Sequence, residues 1–135
     1  MDTEERRQTA IVIGDEDDSA MQGAASTLEK AGFLVHHAQS GETALGLSRK
    51  LGEPAHLALV DAAATEMPIA GLVDRLREKS PNIRILVLSD GQGSEDGQRL
   101  AGFGKSLRVL KKPFRRSALL GQVLDLMERP LVLTA

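Results

Sequence analysis

The chain has no cysteine, no tryptophan and no tyrosine. Without thiols there is no disulfide, no thiolate zinc centre and no cysteine nucleophile, a composition suited to a reducing cytoplasm. Aromatic residues are only 2 %, namely Phe33, Phe103 and Phe114. So few rings exclude stacking platforms for nucleobases. Charge of one sign is also missing: 17 Lys and Arg stand against 19 Asp and Glu, a net charge of −2. Bulk electrostatics therefore favour neither nucleic acid nor an anionic membrane surface, and no contact with either is expected. No apolar run approaches the length of a membrane span, and the opening "MDTEERRQ" is no signal peptide.

What remains is ordinary globular composition, 41 % hydrophobic and 27 % charged, over 135 residues. That fits one domain with a real core. Residues 1–9 read as a flexible tail or linker, 10–129 as the domain, and 130–135 as a C-terminal tail. The apolar tail "PLVLTA" could serve as a packed end or a homodimer contact.

Within the domain, apolar runs alternate with helical patterns. "AIVI" (10–13), "FLVHH" (33–37), "HLALV" (56–60), "IRILVL" (83–88) and "SLRVL" (106–110) read as strands. Helices are predicted over 19–32, 40–52, 68–80 and 115–129. Asp18 or Ser19 caps the first, Ser40 the second, and Pro68 suits the first turn of the third. A further helix in 91–104 is short or irregular, since five glycines fall there. In the last helix Leu119, Leu120, Val123, Leu124 and Met127 read as the buried face. Five apolar strands alternating with about five helices predict an α/β fold with a parallel sheet covered on both faces. In such open sheets the functional crevice lies at the carboxyl ends of the strands.

The polar residues just past each strand are informative. "IVIGDEDDS" runs from strand straight into Asp15, Glu16, Asp17 and Asp18; Asp61 follows the third strand, Ser89 the fourth, and Lys111 and Lys112 the fifth. Crowded carboxylates can share a hard cation such as Mg²⁺, which takes oxygen ligands. A carboxylate can also attack phosphorus and form an aspartyl phosphate. A Lys and a Ser hydroxyl then stabilise phosphoryl oxygens, since phosphoryl transfer needs mainly positioning and electrostatics. Taken singly, each feature has a plainer reading: a solvated helix start for the acids, a turn or cap for Asp61, a surface position for Lys112. Asp17 and Asp18 are best read as helix-start acids. His36, His37 and His56 are strand residues without assigned chemistry. Lys111, Arg115 and Arg116 read as a solvated basic patch.

Over roughly residues 9–128 the chain resembles the CheY-like receiver domain of bacterial response regulators and hybrid histidine kinases. The pieces that carry the resemblance are "EKAGFLVHHAQSGETAL", "HLALVD", "IRILVLS" and above all "LKKPF". The pattern "LVLSDGQ…LKKPF" is most similar to the C-terminal receiver of a hybrid sensor histidine kinase. The resemblance implies a doubly wound, flavodoxin-like sheet of strand order 2-1-3-4-5. It implies Asp61 as phosphoacceptor, Asp15 and Glu16 with Asp61 as the Mg²⁺ ligands, Ser89 as the switch hydroxyl and Lys112 as the phosphate-binding Lys. It also implies a histidine kinase or phosphotransfer domain as partner, a signalling module rather than an enzyme, and a Lys112–Pro113 bond that is often cis.

Some positions depart from that pattern. Counting back from Gly32 puts the acid pair at Asp15 and Glu16, the preferred register; counting forward from the strand puts it at Gly14 and Asp15. Met67 and Pro68 come later after Asp61 than the family has them, so 62–66 carries an insertion. A gapless match from Pro68 would put Ala64 at the acceptor position. Val109 stands where the family has a switch aromatic. These departures keep open a pseudo-receiver that is not phosphorylated and acts by protein interaction or dimerisation. A nucleotide- or flavin-binding domain is a weaker rival, because no Gly-rich phosphate loop follows the first strand. The length leaves no room for a DNA-binding output domain, which implies a stand-alone receiver or one cut from a larger hybrid kinase.

Overall fold

The computed structural model describes residues 7–90 and 101–128. The predicted tail 130–135, most of the first tail and ten residues of the glycine-rich stretch lie outside the described residues. In chain order the elements are β1 (Thr9–Ile13), α1 (Ser19–Lys30), β2 (Leu34–Ala38), α2 (Gly41–Lys50), β3 (Leu57–Asp61), α3 (Ile69–Lys79), β4 (Arg84–Ser89), β5 (Leu107–Lys111) and α4 (Arg116–Leu126). All four strand pairings are parallel, and the sheet order is β2-β1-β3-β4-β5. This is the flavodoxin-like arrangement that the sequence predicted. About five helices were expected; the described residues contain four α-helices and two 3₁₀ turns, Ala62–Ala64 and Ala101–Ser106.

Alternation along the strands builds a core on each face. Ile11, Ile13, Ala58, Val60, Ile85 and Val87 pack with Leu45 of α2 and Leu72, Val73 and Leu76 of α3. Ala10, Val12, Leu57, Leu59, Leu86 and Leu88 face Met21, Ala24 and Leu28 of α1 and Leu119, Val123 and Leu126 of α4. Both faces of the central strands are thus apolar, which is why they read as unbroken hydrophobic runs.

Helix ends follow local chemistry. The Asp18 carboxylate caps α1 by accepting from the Ala20 N–H, and the Ser40 hydroxyl caps α2 by accepting from the Thr43 N–H. Gly32 follows α1 with φ of +102°, a conformation that suits glycine. The buried face of α4 differs from expectation. Leu119, Val123 and Leu126 are buried, while Leu120, Leu124 and Met127 are only partly so. The buried stripe is turned toward Leu126 from the predicted one, by roughly two-thirds of the angle between successive residues.

Candidate phosphoacceptor site

The site sits at the carboxyl ends of β1, β3, β4 and β5. Asp61 is the last residue of β3, paired in register with Leu88 of β4. It shares the α1/α4 face with Leu57 and Leu59, by strand alternation. Its side chain is 5 % exposed, and Lys112 Nζ donates to Asp61 Oδ1 at 2.8 Å. The same oxygen accepts from the Ala63 N–H at 3.0 Å, which starts the 3₁₀ turn. Lys112 follows β5 directly, and its backbone N–H donates to the Ser89 carbonyl at 2.7 Å. Ser89 ends β4 and is in register with Lys111. Three strand ends therefore present a carboxylate, an ammonium and a hydroxyl-bearing residue on one rim. The Lys112–Pro113 bond is cis.

The insertion after Asp61 also has a defined place. Ala62–Ala64 form the 3₁₀ turn, so Ala64 lies beyond the strand and Asp61 holds its end. Thr65 Oγ1 then donates to the Met67 carbonyl at 3.2 Å. Met67 packs closely against Gly41 at the start of α2: a Cβ at Gly41 would meet the Met67 sulfur at 2.7 Å. The extra residues are taken up in this turn, and β3 keeps its register.

In the acid cluster Asp15, Glu16 and Asp17 are exposed. Asp15, Glu16 and Asp61 are not assembled as a metal centre; among the described residues no three His, Cys, Asp or Glu side chains group to hold a cation. Sheet pairing explains why. The Gly14 N–H donates to the Ala38 carbonyl, continuing the β1 line, so Gly14 takes the strand-end place beside Asp61. A Cβ there would lie 3.2 Å from Asp61 Cβ. The forward count, Gly14 and Asp15, is the register that the fold adopts. Asp15 is exposed, and its Oδ1 accepts from the Asp17 N–H at 2.9 Å in an Asx turn. The Glu16 carbonyl accepts from Gln22 Nε2 at 2.7 Å, and Glu16 lines a separate cleft with Glu29 and His37.

Three residues gained roles that the sequence did not signal. Met21 closes over Gly14, whose added Cβ would meet Met21 Cε at 2.9 Å. The His56 Nδ1 accepts from the Thr9 N–H at 3.0 Å, pinning the start of β1 at the far end of the sheet. The fully buried Ser80 Oγ accepts from the Ala55 N–H at 2.8 Å. Val109, on the edge strand β5, is 45 % exposed. His36 is half-buried and His37 exposed on β2. No described helix is long and apolar enough to cross a membrane.

No protein-family profile matches the chain. The chain is 27 % identical over 113 residues to the response regulator receiver protein CpdR of Brucella abortus, covering 84 % of this chain and 92 % of the relative. A response regulator from Thermotoga maritima superposes with a TM-score of 0.73 at 25 % identity, over 90 % of this chain and 98 % of that one. A response regulator receiver protein from Sinorhizobium medicae gives 0.72 at 26 % identity, over 90 % and 95 %. In sequence and in fold the chain is thus similar to response regulator receiver proteins.

Proposed function

We propose that the chain is a phosphorelay receiver in which Asp61 accepts a phosphoryl group from a histidine kinase or a phosphotransfer domain. One observation carries this reading: the ion pair between Lys112 Nζ and Asp61 Oδ1, 2.8 Å long, at the end of the central strand β3. Among the described residues the hydrogen bonds from Lys112 and Ala63 both fall on Oδ1, which directs Oδ2 to act as the nucleophile. Attack forms an O–P bond as the N–P bond of a donor phosphohistidine breaks, and the donor imidazole leaves. The product carries about −1.5 to −2 of charge on three phosphoryl oxygens, in place of the single charge of the carboxylate, by analogy with phosphorylated hydroxyl residues. Lys112 then exchanges its carboxylate contact for a phosphoryl oxygen, and the Ser89 hydroxyl donates to another. Both residues end strands on the β4–β5 side, so the change is felt there first. The Ser89 and "LKKPF" pattern supports a hybrid-kinase receiver as the setting. A cytoplasmic location follows from such a partner.

The experiment is treatment with acetyl phosphate, read by intact mass and a Phos-tag gel. Addition of one phosphate to the wild type and none to Asp61→Asn is the expected result. A second reading, the phosphorylation-independent receiver, is favoured by Gly14 standing where a carboxylate is expected. An unlabelled wild type, or labelling unchanged in Asp61→Asn, would support it instead.

A further inference from the structure

We infer that Gly14 and Met21 make this acceptor site poor in cation binding, with Lys112 supplying most of its positive charge. The inference rests on Asp61 being the acceptor. Residue 14 lies on the same face as Asp61, by alternation along β1 through Ala10 and Val12. A side chain there would point at the acceptor. The place is crowded instead: the built Cβ meets Met21 Cε at 2.9 Å, Met21 Cγ at 3.2 Å and Asp61 Cβ at 3.2 Å, so a side chain enters only if the Met21 end shifts. Met21 is 1 % exposed and belongs to the α1/α4 core. Its thioether therefore occupies space that a second carboxylate would have to displace it from.

Charge points the same way. Asp61 and Asp15 against Lys112 leave one net negative charge at the rim; an acid at 14 would leave two. Mg²⁺ demands near-ideal octahedral oxygen geometry and gives up its waters reluctantly. One buried carboxylate already bonded to an ammonium, with one exposed carboxylate engaged in an Asx turn, offers little to offset that cost. Glu16 does not make up the deficit, because it faces the cleft of Glu29 and His37.

The test is a Mg²⁺ titration of the full chain by calorimetry and by amide NMR shifts, because no Trp or Tyr is present to report by fluorescence. Wild type should show no saturable binding below about 1 mM. The Gly14→Asp/Met21→Ala double variant, in which the blocking thioether is removed, should bind at least about ten-fold more tightly. Met21→Ala alone should bind no better than wild type. Saturation of the wild type below about 1 mM, with shifts centred on Asp15 and Asp61, would overturn the inference. The wild-type arm stands even where the double variant fails to fold. Binding is read on unmodified protein, so a failure to label Asp61 would sink the acceptor reading and leave this result intact.

Discussion

A carboxylate that is 5 % exposed is stable as an anion only with compensation, and Asp61 has it from Lys112, itself 21 % exposed, and from the Ala63 N–H. The pair is not symmetric. Lys112 can turn to water if its partner is lost, but Asp61 cannot. Lys112→Met should therefore cost about 1–3 kcal/mol, much of it the penalty of a buried carboxylate left without a cation. Asp61→Asn should cost less, because a carboxamide oxygen still accepts from Ala63. In the Asp61→Asn background, Lys112→Met should cost under about 1 kcal/mol. Urea unfolding followed by far-UV circular dichroism measures all four corners; additive losses would show that the pair is not coupled. The placing of Asp61, Ser89 and Lys112 at neighbouring strand ends was legible because Asp61 and Ser89 end apolar strands and Lys112 directly follows one. The acid pair was not. An extra residue lies between β1 and α1, and each anchor gives a self-consistent count on its own. Only the pairing of Ile13 with Val60 decides that Gly14, and not Asp15, stands beside Asp61.

At the scale of elements, strand and helix positions were readable to within a residue or two, because periodicity and caps agree there, except the end of α4, expected at 129 and found at Leu126. The buried stripe of α4 was not. The run "SALLGQVLDLM" offers apolar residues on neighbouring stripes, and local pattern cannot choose between them. Packing against Leu86 and Leu88 selects Leu119, Val123 and Leu126, an i, i+4, i+7 line. The choice is testable with one residue type. Leu126→Ala should cost about 2–4 kcal/mol, as a fully buried truncation does. Leu124→Ala, two positions earlier and half-buried, should cost under about 1.5 kcal/mol. Equal losses in urea unfolding would place the helix in the wrong rotation. The cap at Asp18 belongs to this scale too: Asp18→Ala removes the acceptor of the Ala20 N–H and should cost about 1 kcal/mol, read as a fall in the thermal midpoint.

Across the whole molecule, the sheet is strongest at its middle and weakest at its rims. Residues 10–13 of β1, all of β3 and residues 85–88 of β4 are buried, whereas β5 alternates between buried, partly buried and exposed residues. Among the described residues β5 is paired on one side only, with β4, and its outward position Val109 is 45 % exposed. The same strand delivers Lys112 to the site. Placing the counter-charge on the less buried edge and the carboxylate on the central strand gives the pair one firm partner and one that can move at lower cost. Native-state hydrogen exchange should resolve this. Amides of β1, β3 and β4 that donate within the sheet should exchange only through global unfolding. Those of β5 that donate to β4 should exchange through a smaller opening, at least about ten-fold faster, and should respond less steeply to low urea. Equal protection and equal urea dependence in β3 and β5 would mean that the edge is as rigid as the centre, and that Lys112 is held as firmly as Asp61.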